Sequence, residues 1–332
     1  MLYAKVKLKA AEKTRRRLMD DGLLDQSREV ERGAGYVLFP VKPKTKVKDA
    51  ELVEREGRMR QPRPKSLKDS LSGILSKEEI DSLPSSYSVV GDIALLELPD
   101  ELMKHKREIG EALLHTFKSI KVAAVKTREF SGEYRVPGFE VVAGEDRTET
   151  VHREHGCLYK LDVAKAYFSP RLGSERVRVA GLTKDGERVL VMFAGVGPYA
   201  ILIAKTRKAD VTAIELNPDA AEYMRWNVLK NRVKVDVIEG DARVETPKLG
   251  LFDRIIMPLP KQADKFMDVA IPALKRGGTI HYYTFAKNTR EASDELAKTV
   301  GRLGKKAKIL DAVLCGSYNP AVSRVCVDFQ VE

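Results

Sequence analysis

The sequence has little cysteine and no long apolar run. Its three cysteines, Cys157, Cys315 and Cys326, are not clustered, and none belongs to a Cys-x-x-Cys pair. This spacing gives no signal for a disulfide framework or a zinc site, and it is typical of a soluble protein of the reducing cytoplasm. The longest uncharged run, Val189 to Ala204, is too short to span a membrane and contains glycine and proline. Lysines interrupt the first apolar residues, so we expect no signal peptide.

Positive charge is concentrated near the start of the chain. The net charge is +11, and residues 1 to 65 hold 18 Lys and Arg against 10 Asp and Glu. This fifth of the chain therefore carries most of the excess. Basic surfaces bind phosphate backbones by releasing counterions, which makes a nucleic acid the expected partner. A merely solvated basic surface is the alternative.

Residues 188 to 219 predict a strand, a glycine turn, a helix and a second strand. Gly195 and Gly197 permit a tight turn at the start of the helix, and Glu215 ends the second strand. A carboxylate at that place accepts hydrogen bonds from ribose hydroxyls. The unit therefore predicts a nucleoside-containing ligand. The glycine pattern alone is weak, since it also matches enzymes that use a nicotinamide dinucleotide.

The two following strands narrow the choice of cofactor. A third strand leads into Asp241 and Ala242, where Asp241 can accept a hydrogen bond from the amine of an adenine. A fourth strand leads into Pro258-Leu259-Pro260, a rigid turn that closes the pocket beside the substrate base. This order resembles the Rossmann-like class of S-adenosylmethionine-dependent methyltransferases more than a dehydrogenase.

Changes in composition predict three folded parts. Residues 1–45 read as a small basic α+β module, and residues 46–65 read as a charged linker with a short helix inside it. Residues 66–162 read as a middle α/β domain. Residues 163–332 read as the cofactor-binding α/β domain, in which two antiparallel strands at the end would complete a seven-stranded sheet.

The segment from 160 to 179 is dense in residues that suit a substrate site better than a core. Tyr167 and Phe168 can stack on an extruded base, although packing in the core is an equal alternative for Phe168. Arg171 and Arg176 can hold phosphates. Glu175 can act as a base or can form a simple surface ion pair.

Four blocks, in order, resemble the archaeal and eukaryotic tRNA (guanine-N1-)-methyltransferases that act beside the anticodon. The blocks are GEYRVPGFEVVAGEDRTETVHREHG, KLDVAKAYFSPRLGSER, MFAGVGPYA and the Pro-Leu-Pro turn. The likeness covers nearly the whole chain. It implies methylation of guanosine 37 at N1, S-adenosylmethionine as the cofactor without a metal, and an N-terminal module that contacts the outer corner of tRNA. We expect a monomer.

The resemblance also implies roles for individual residues. Guanine N1 carries a proton at neutral pH, so its methylation needs a base and a partner for the charge that develops on O6. By resemblance Glu175 is the base, Arg135 stabilises O6, Pro260 belongs to the catalytic set and Tyr167 lies near the target base. The implied cofactor contacts are Phe193, Ala194, Gly195, Val196, Gly197, Glu215, Leu216, Asp241, Ala242 and Pro258, and the implied substrate contacts add Phe168, Arg171, Arg176, Pro258, Leu259 and Lys261.

Two positions depart from the family pattern. Val191 stands where many relatives have an acidic residue, and Pro258 stands where relatives usually have asparagine. The lost amide motivates a second hypothesis, methylation of the wyosine precursor 4-demethylwyosine at carbon 7. A nicotinamide oxidoreductase and a non-catalytic tRNA-binding protein with a degenerate site remain as alternatives. His152 and His155 have no third metal ligand nearby in sequence, and His281 is expected to be a buried sheet residue.

Overall fold

The computed structural model describes residues 1–47, 50–59, 66–131, 136–319 and 321–332. The chain forms two compact units, Met1–Lys65 and Ser66–Glu332. Within the described residues, no helix has both the length and the apolar character that crossing a membrane would require.

The first unit is an antiparallel four-stranded sheet with one helix on it. The order of strands is β2-β3-β1-β4. Alternation in the first strand buries Ala4 and Val6, and the helix lays Leu18 on the same apolar layer as Val37 and Phe39. The elements are β1 Leu2–Lys7, α1 Ala11–Asp20, β2 Glu31–Gly33, β3 Tyr36–Pro40 and β4 Glu51–Glu54.

Strand β4 lies in the segment that the sequence analysis assigned to a linker. It pairs antiparallel with β1, with Val53 opposite Tyr3. Its charged ends, Glu51 and Glu54, fit an edge strand because charges discourage pairing with other chains. The segment thus contains a strand of the first sheet, where a short helix was expected.

The second unit begins with a four-stranded sheet in the order β5-β6-β7-β8. Strands β6 and β7 are parallel, and the other two pairs are antiparallel. Helix α4 covers this sheet with the fully buried Ile109 and Leu113. The elements are α2 Leu67–Leu71, α3 Lys77–Asp81, β5 Ser88–Val90, β6 Ile93–Leu96, α4 Lys106–Thr116, β7 Val122–Ser131 and β8 Val136–Gly144.

A two-stranded hairpin, β9 Glu149–Glu154 and β10 Cys157–Asp162, connects this sheet with the rest of the unit. The hydroxyl of Thr150 on β9 donates to Asp92 beside β6 at 2.8 Å. On the other side, the backbone N–H of Lys160 on β10 donates to Asn227 at 2.7 Å. The hairpin thus contacts both neighbours, and the predicted boundary at 162/163 stays a prediction.

The remainder is a seven-stranded sheet, as the sequence predicted, and its strand order is β13-β12-β11-β14-β15-β17-β16. The first five strands of this order are parallel, and β17 runs antiparallel to β15 and β16. The elements are α5 Gly173–Leu182, β11 Arg188–Met192, α6 Pro198–Thr206, β12 Asp210–Glu215, α7 Pro218–Asn231, β13 Asp236–Glu239, α8 Ala242–Glu245, β14 Phe252–Met257, α9 Met267–Ala270, β15 Leu274–Ala286, α10 Thr289–Arg302, β16 Ala307–Asn319 and β17 Val322–Val331.

Helices cover both faces of this sheet, which explains the unbroken apolar runs of its inner strands. Residues Val189, Leu190 and Val191 of β11 are each fully buried. Val189 and Val191 join the apolar layer beneath α6 and α7, and Leu190 joins the layer beneath α10. This is a Rossmann-like α/β arrangement, in which ligands bind outside the carboxyl ends of the strands.

Candidate cofactor and substrate site

A cavity of about 270 Å³ opens at the carboxyl ends of the parallel strands. Segments after β11, β12 and β13 form one side of it. The turn after β14, the end of β15 and the adjoining ends of β16 and β17 form the other side. Among the predicted site residues, those that line it are Tyr167, Phe193, Gly195, Glu215, Leu216, Asp241, Ala242, Pro258, Leu259, Pro260 and Lys261.

The glycine turn after β11 depends on backbone conformations that side chains disfavour. Gly195 and Gly197 have φ angles of +57° and +88°. A Cβ at Gly197 would lie 2.8 Å from Cγ of Met224, so this glycine is also required by packing. Phe193 adopts a φ of +57° as well, which is a strained conformation for an aromatic residue. The turn is thus held in one shape at the cavity wall.

Ala194, Val196 and Gly197 support this turn from behind. The N–H of Ala194 donates to the carbonyl of Ile214 at 2.9 Å, and Asn227 donates to the carbonyl of Val196 at 3.0 Å. These three predicted cofactor contacts are not among the described residues that line the cavity. Their backbone hydrogen bonds instead hold the shape of the turn that does line it.

Glu215 at the end of β12 is placed to hold hydroxyl groups. Its carboxylate accepts hydrogen bonds from the N–H of Gly195 at 2.6 Å and from the N–H of Asn217 at 2.9 Å. Burial raises the pKa of Glu215, while these backbone hydrogen bonds act in the opposite direction. Each oxygen retains a further lone pair, so the carboxylate can accept from a ribose.

The neighbouring part of the cavity fits an adenine. Asp241 accepts a hydrogen bond from the N–H of Arg243 at 2.8 Å and so caps the short helix α8. The rings of Phe193 and Phe266 meet edge to face at 4.7 Å between centroids. Together with the buried Ala242, these rings supply apolar walls beside an acceptor. The cavity therefore suits an adenosine-containing cofactor.

The Pro258-Leu259-Pro260 turn closes the cavity after β14. The N–H of Leu259 donates back to the carbonyl of Met257 at 2.8 Å, which fixes the turn. Its side chains offer no hydrogen-bonding group. Any polar recognition by these three residues must use backbone carbonyls.

Two of the predicted substrate contacts lie in the interior. Phe168 is 8% exposed and packs against His152 and Tyr159. Arg176 is 2% exposed and forms a two-point ion pair with Glu154 at 2.7 and 2.5 Å. Both side chains therefore have structural partners. For Phe168, the structure thus shows packing in the core, which was the alternative to stacking on a base.

Arg171 and Tyr167 are the exposed members of the same segment. Arg171 contacts Ser86 at 3.4 Å and is not among the described residues that line the cavity. Tyr167 lines the cavity with 41% of its surface exposed, and its hydroxyl lies 3.3 Å from Nη2 of Arg324. Tyr167 is thus the aromatic side chain of this segment that can meet a base. Arg135 lies outside the described residues.

Glu175 is buried, is not among the described residues that line the cavity, and takes part in several hydrogen bonds. Its carboxylate accepts from the hydroxyl of Tyr283 at 2.6 Å and from two nitrogens of Arg178 at 2.7 and 2.8 Å. Tyr283 and Phe285 lie two residues apart on β15 and so face the same side of the sheet. Phe285 lines the cavity. Glu175 is thus linked through Tyr283 to the strand that contributes Phe285 to the cavity.

The network continues from Arg178 into the interior. Arg178 also pairs with Asp328 at 2.6 Å, and Asp328 pairs with His281 at 2.6 Å. Burial opposes the ionisation of Asp328, but hydrogen bonds from His281 and Arg178 outweigh it and lower its pKa. The other ring nitrogen of His281 meets Arg254 at 2.6 Å. His281 is thus a satisfied sheet residue, as the sequence predicted.

Three cavity residues near the last two strands were not predicted from the sequence. Phe285, Tyr318 and Arg324 line the cavity opposite the adenine side. Tyr318 lies near the end of β16, in a segment whose sequence resembles a turn-rich connection, and an aromatic residue there was the available signal. Their convergence depends on the antiparallel return of β17, which no local pattern encodes.

Three family models match successive parts of the chain. They are the tRNA methyltransferase 5 N-terminal domain over residues 5–50, the TYW2 N-terminal domain over residues 67–148 and the TRM5/TYW2 methyltransferase domain over residues 150–310. The curated tRNA (guanine(37)-N(1))-methyltransferase Trm5b of Pyrococcus abyssi is 39% identical over 100% of this chain and 99% of its own length. The chain belongs to the TRM5/TYW2 methyltransferase family.

Other members of the family extend the comparison. A solved complex of aTrm5 with tRNALeu matches all of both chains, with 33% identity and a TM-score of 0.75. The tRNA (guanine(37)-N(1))/4-demethylwyosine(37)-methyltransferase Taw22 of Nanoarchaeum equitans is 34% identical over 60% of this chain and 84% of its own length. Membership of this family overturns the nicotinamide alternative.

Proposed function

We propose that the protein transfers a methyl group from S-adenosylmethionine to N1 of guanosine 37 in tRNA. The observation that carries the proposal is the single cavity, which joins a ribose and adenine side at β12 and β13 to a second side at the Pro-Leu-Pro turn. Similarity to Trm5b over the full length of both chains supports the choice of reaction. We also propose that the protein acts as a monomer in the cytoplasm.

The residues around the glycine turn would hold the cofactor. Glu215 would accept from the ribose, and Asp241 with Ala242 would receive the adenine. Phe193 and Gly195 would line the methionine end. When bound, S-adenosylmethionine supplies a methyl group on a sulfonium, which is already activated for transfer without a metal.

Glu175 would take the proton from N1. Arg178 and Tyr283 donate hydrogen bonds to its carboxylate, so the orientation of the carboxylate is fixed before a base arrives. Arg178 also pairs with Asp328, which holds its guanidinium in place beside Glu175. A guanine that displaces water above this group would favour the transfer further.

The target base would lie between Tyr167 and the Pro-Leu-Pro turn. Tyr167 would stack on it, and the backbone carbonyls of Pro258 and Pro260 would accept from its amine. By resemblance, Arg135 would face O6, where charge develops as N1 loses its proton. Lys261 and Arg171 would contact phosphates on either side of the base.

The first unit would bind another part of the same tRNA. Its helix α1 carries Arg15, Arg16 and Arg17, and the side chain of Arg16 is 75% exposed. Residues 5–50 match the tRNA methyltransferase 5 N-terminal domain model. We propose that this basic surface contacts the outer corner of tRNA, which gives an affinity that falls steeply as salt is raised.

The test of the main proposal uses the purified full chain with labelled S-adenosylmethionine. Unmodified tRNA transcripts with guanosine, adenosine or uridine at position 37 are the substrates, and nucleoside mass analysis identifies the product. The proposal expects 1-methylguanosine from the guanosine transcript alone. Tight tRNA binding without any methyl transfer would favour a non-catalytic tRNA-binding protein with a degenerate site.

A second activity, methylation of 4-demethylwyosine at carbon 7, is favoured by the Pro-Leu-Pro turn. Pro258 lines the cavity without a side-chain amide, so the turn places fewer constraints on the edge of the acceptor. The test is tRNA that carries this tricyclic base, with Pro258→Asn as the comparison variant. The hypothesis expects methyl incorporation that Pro258→Asn lowers, and no incorporation by the native protein would remove it.

A further inference from the structure

Two cations and two aromatic rings form a wall at the substrate side of the cavity. The rings of Phe285 and Tyr318 lie 4.3 Å apart between centroids. The guanidinium of Arg324 lies 5.5 Å from the centroid of Phe285, and Nζ of Lys261 lies 5.5 Å from that of Tyr318. We refer to these four side chains as the cation–aromatic wall. All four line the cavity.

The order of strands places this wall away from the cofactor side. Phe285 pairs with Arg324 across β15 and β17. In the sheet, β14 and β15 separate β17 from β11, which begins the cofactor side. A base that turns N1 toward the cofactor side directs the opposite part of a purine, the five-membered ring with N7, toward β17. A base in this pose would place its N7 edge beside Arg324.

Arg324 carries a donor that needs an acceptor. Its Nε is buried, and it has no hydrogen-bond partner among the residues that the structure describes. Nη2 of the same guanidinium lies 3.3 Å from the hydroxyl of Tyr167, which fixes the orientation of the group beside the predicted stacking residue. A guanidinium carries five N–H donors, and the contact with Tyr167 uses one of them, so Arg324 retains donors for a base in the cavity that it lines.

We propose that Arg324 recognises the target base as a purine by donating a hydrogen bond to its N7. Arginine is the side chain that most often donates to the N7 and O6 edge of guanine. The inference rests on the proposed function and adds a specificity residue to it. Because adenine shares N7, Arg324 separates purines from pyrimidines, and the choice of guanine is made at the N1 and O6 edge.

The test combines a change in the enzyme with a change in the base. The substrates are two tRNAs, one with guanosine and one with 7-deazaguanosine at position 37. In 7-deazaguanosine, a C–H group replaces N7. For the native protein, we expect kcat/KM to be about 10- to 150-fold lower on the deaza substrate, the range for one hydrogen bond that involves a charged group. For Arg324→Met, we expect kcat/KM on guanosine to fall by a similar factor and the two substrates to become equal within about twofold.

Lys261→Met is the matched comparison, since it removes the other cation of the wall. It should lower kcat/KM on both substrates equally and leave the native ratio between them unchanged. Arg302→Met, in the last turn of α10, is the control outside the cavity and should change neither value. The dissociation constant for tRNA and the melting temperature show whether Arg324→Met remains folded.

The outcomes separate this inference from the proposed function. If the native protein methylates guanosine and 7-deazaguanosine equally well, Arg324 does not read N7 and the inference fails while the proposed function stands. The same holds if Arg324→Met keeps the full native preference for guanosine. If the native protein methylates neither tRNA, the proposed function itself fails.

Discussion

The hydroxyl of Tyr283 donates to the carboxylate of Glu175 at 2.6 Å, and both side chains are buried. Burial raises the pKa of Tyr283 well above its ordinary value, which favours the protonated hydroxyl that donates this hydrogen bond. Glu175 thus has a fixed orientation before any substrate arrives. A carboxylate held in this way can accept a proton from one direction.

The first prediction concerns Glu175→Gln. The amide cannot accept the N1 proton, so we expect the rate of methyl transfer to fall by about 10²- to 10⁴-fold, the usual contribution of a general base. Single-turnover kinetics measure the rate, and filter binding should show a nearly native affinity for tRNA. Near-native turnover would remove Glu175 as the base and leave it a role in positioning.

The second prediction concerns the buried pair Arg176–Glu154. Arg176→Met leaves the Glu154 carboxylate buried without its cation, and we expect the free energy of unfolding to fall by about 3–5 kcal/mol. Denaturant unfolding measures the change. Arg225→Met removes an ion pair whose side chains are 47% and 43% exposed, and it should alter the value by less than about 0.5 kcal/mol. Equal effects of the two variants would contradict the interior role of Arg176.

The third prediction is the pH dependence that this pair produces. Burial alone would raise the pKa of Glu154, but hydrogen bonds from His152 and Arg176 lower it to about 2. A lowered pKa stabilises the fold above the ordinary value of 4.5, and the contribution is lost as the pH falls toward 2. The shift corresponds to about 3 kcal/mol. The difference in unfolding free energy between the native protein and Glu154→Gln should therefore shrink across this window, and a constant difference would refute the assignment.

The fourth prediction concerns the glycine turn. In Gly197→Ala, a Cβ must fit at a φ of +88° and at 2.8 Å from Met224. We expect a lower melting temperature and weaker binding of S-adenosylmethionine, measured by scanning and titration calorimetry. Gly301→Ala is the control, because it lies in α10 with no atom within 4 Å of the added Cβ, and it should stabilise the protein by about 0.4–1 kcal/mol. An unchanged affinity in Gly197→Ala would show that the turn tolerates repacking.

The fifth prediction tests Glu215 as a ribose ligand. Glu215→Gln keeps the size of the side chain but loses the charge and one acceptor that the ribose needs. We expect the dissociation constant for S-adenosylmethionine to rise by about 10- to 150-fold, the range for a hydrogen bond to a charged group. Glu222→Gln, an exposed position on α7, should have no effect in the same titration. A native affinity in Glu215→Gln would remove the residue from the cofactor site.

The sequence predicted those parts of the structure that local patterns encode. Short apolar runs that end near Gly195, Glu215 and Asp241 predicted three strands of this sheet. These three residues line the cavity because parallel strands place such residues along one edge. The antiparallel final pair was likewise predicted. Strand β4 was missed because its charged residues, typical of an edge, resemble those of a linker.

The positions of Arg176 and Arg324 could not be predicted from the sequence. Arg176 is buried because Glu154, 22 positions earlier, faces it from the hairpin. Arg324 reaches the cavity because β17 lies between β15 and β16 and runs against its neighbours. Both placements depend on contacts between distant segments, and an arginine in isolation predicts a solvated or phosphate-binding side chain.

The position of β17 has a consequence for the biosynthesis of the enzyme. In the described sheet, β16 lies at the edge and pairs only with β17. A polypeptide that ends before residue 322 would therefore leave the backbone hydrogen-bonding groups of β16 unpaired. Such a product would lack Arg324 and Asp328. It would also expose an unpaired edge strand that can pair with other chains. Truncation of the chain before β17 is therefore expected to promote aggregation in addition to loss of activity.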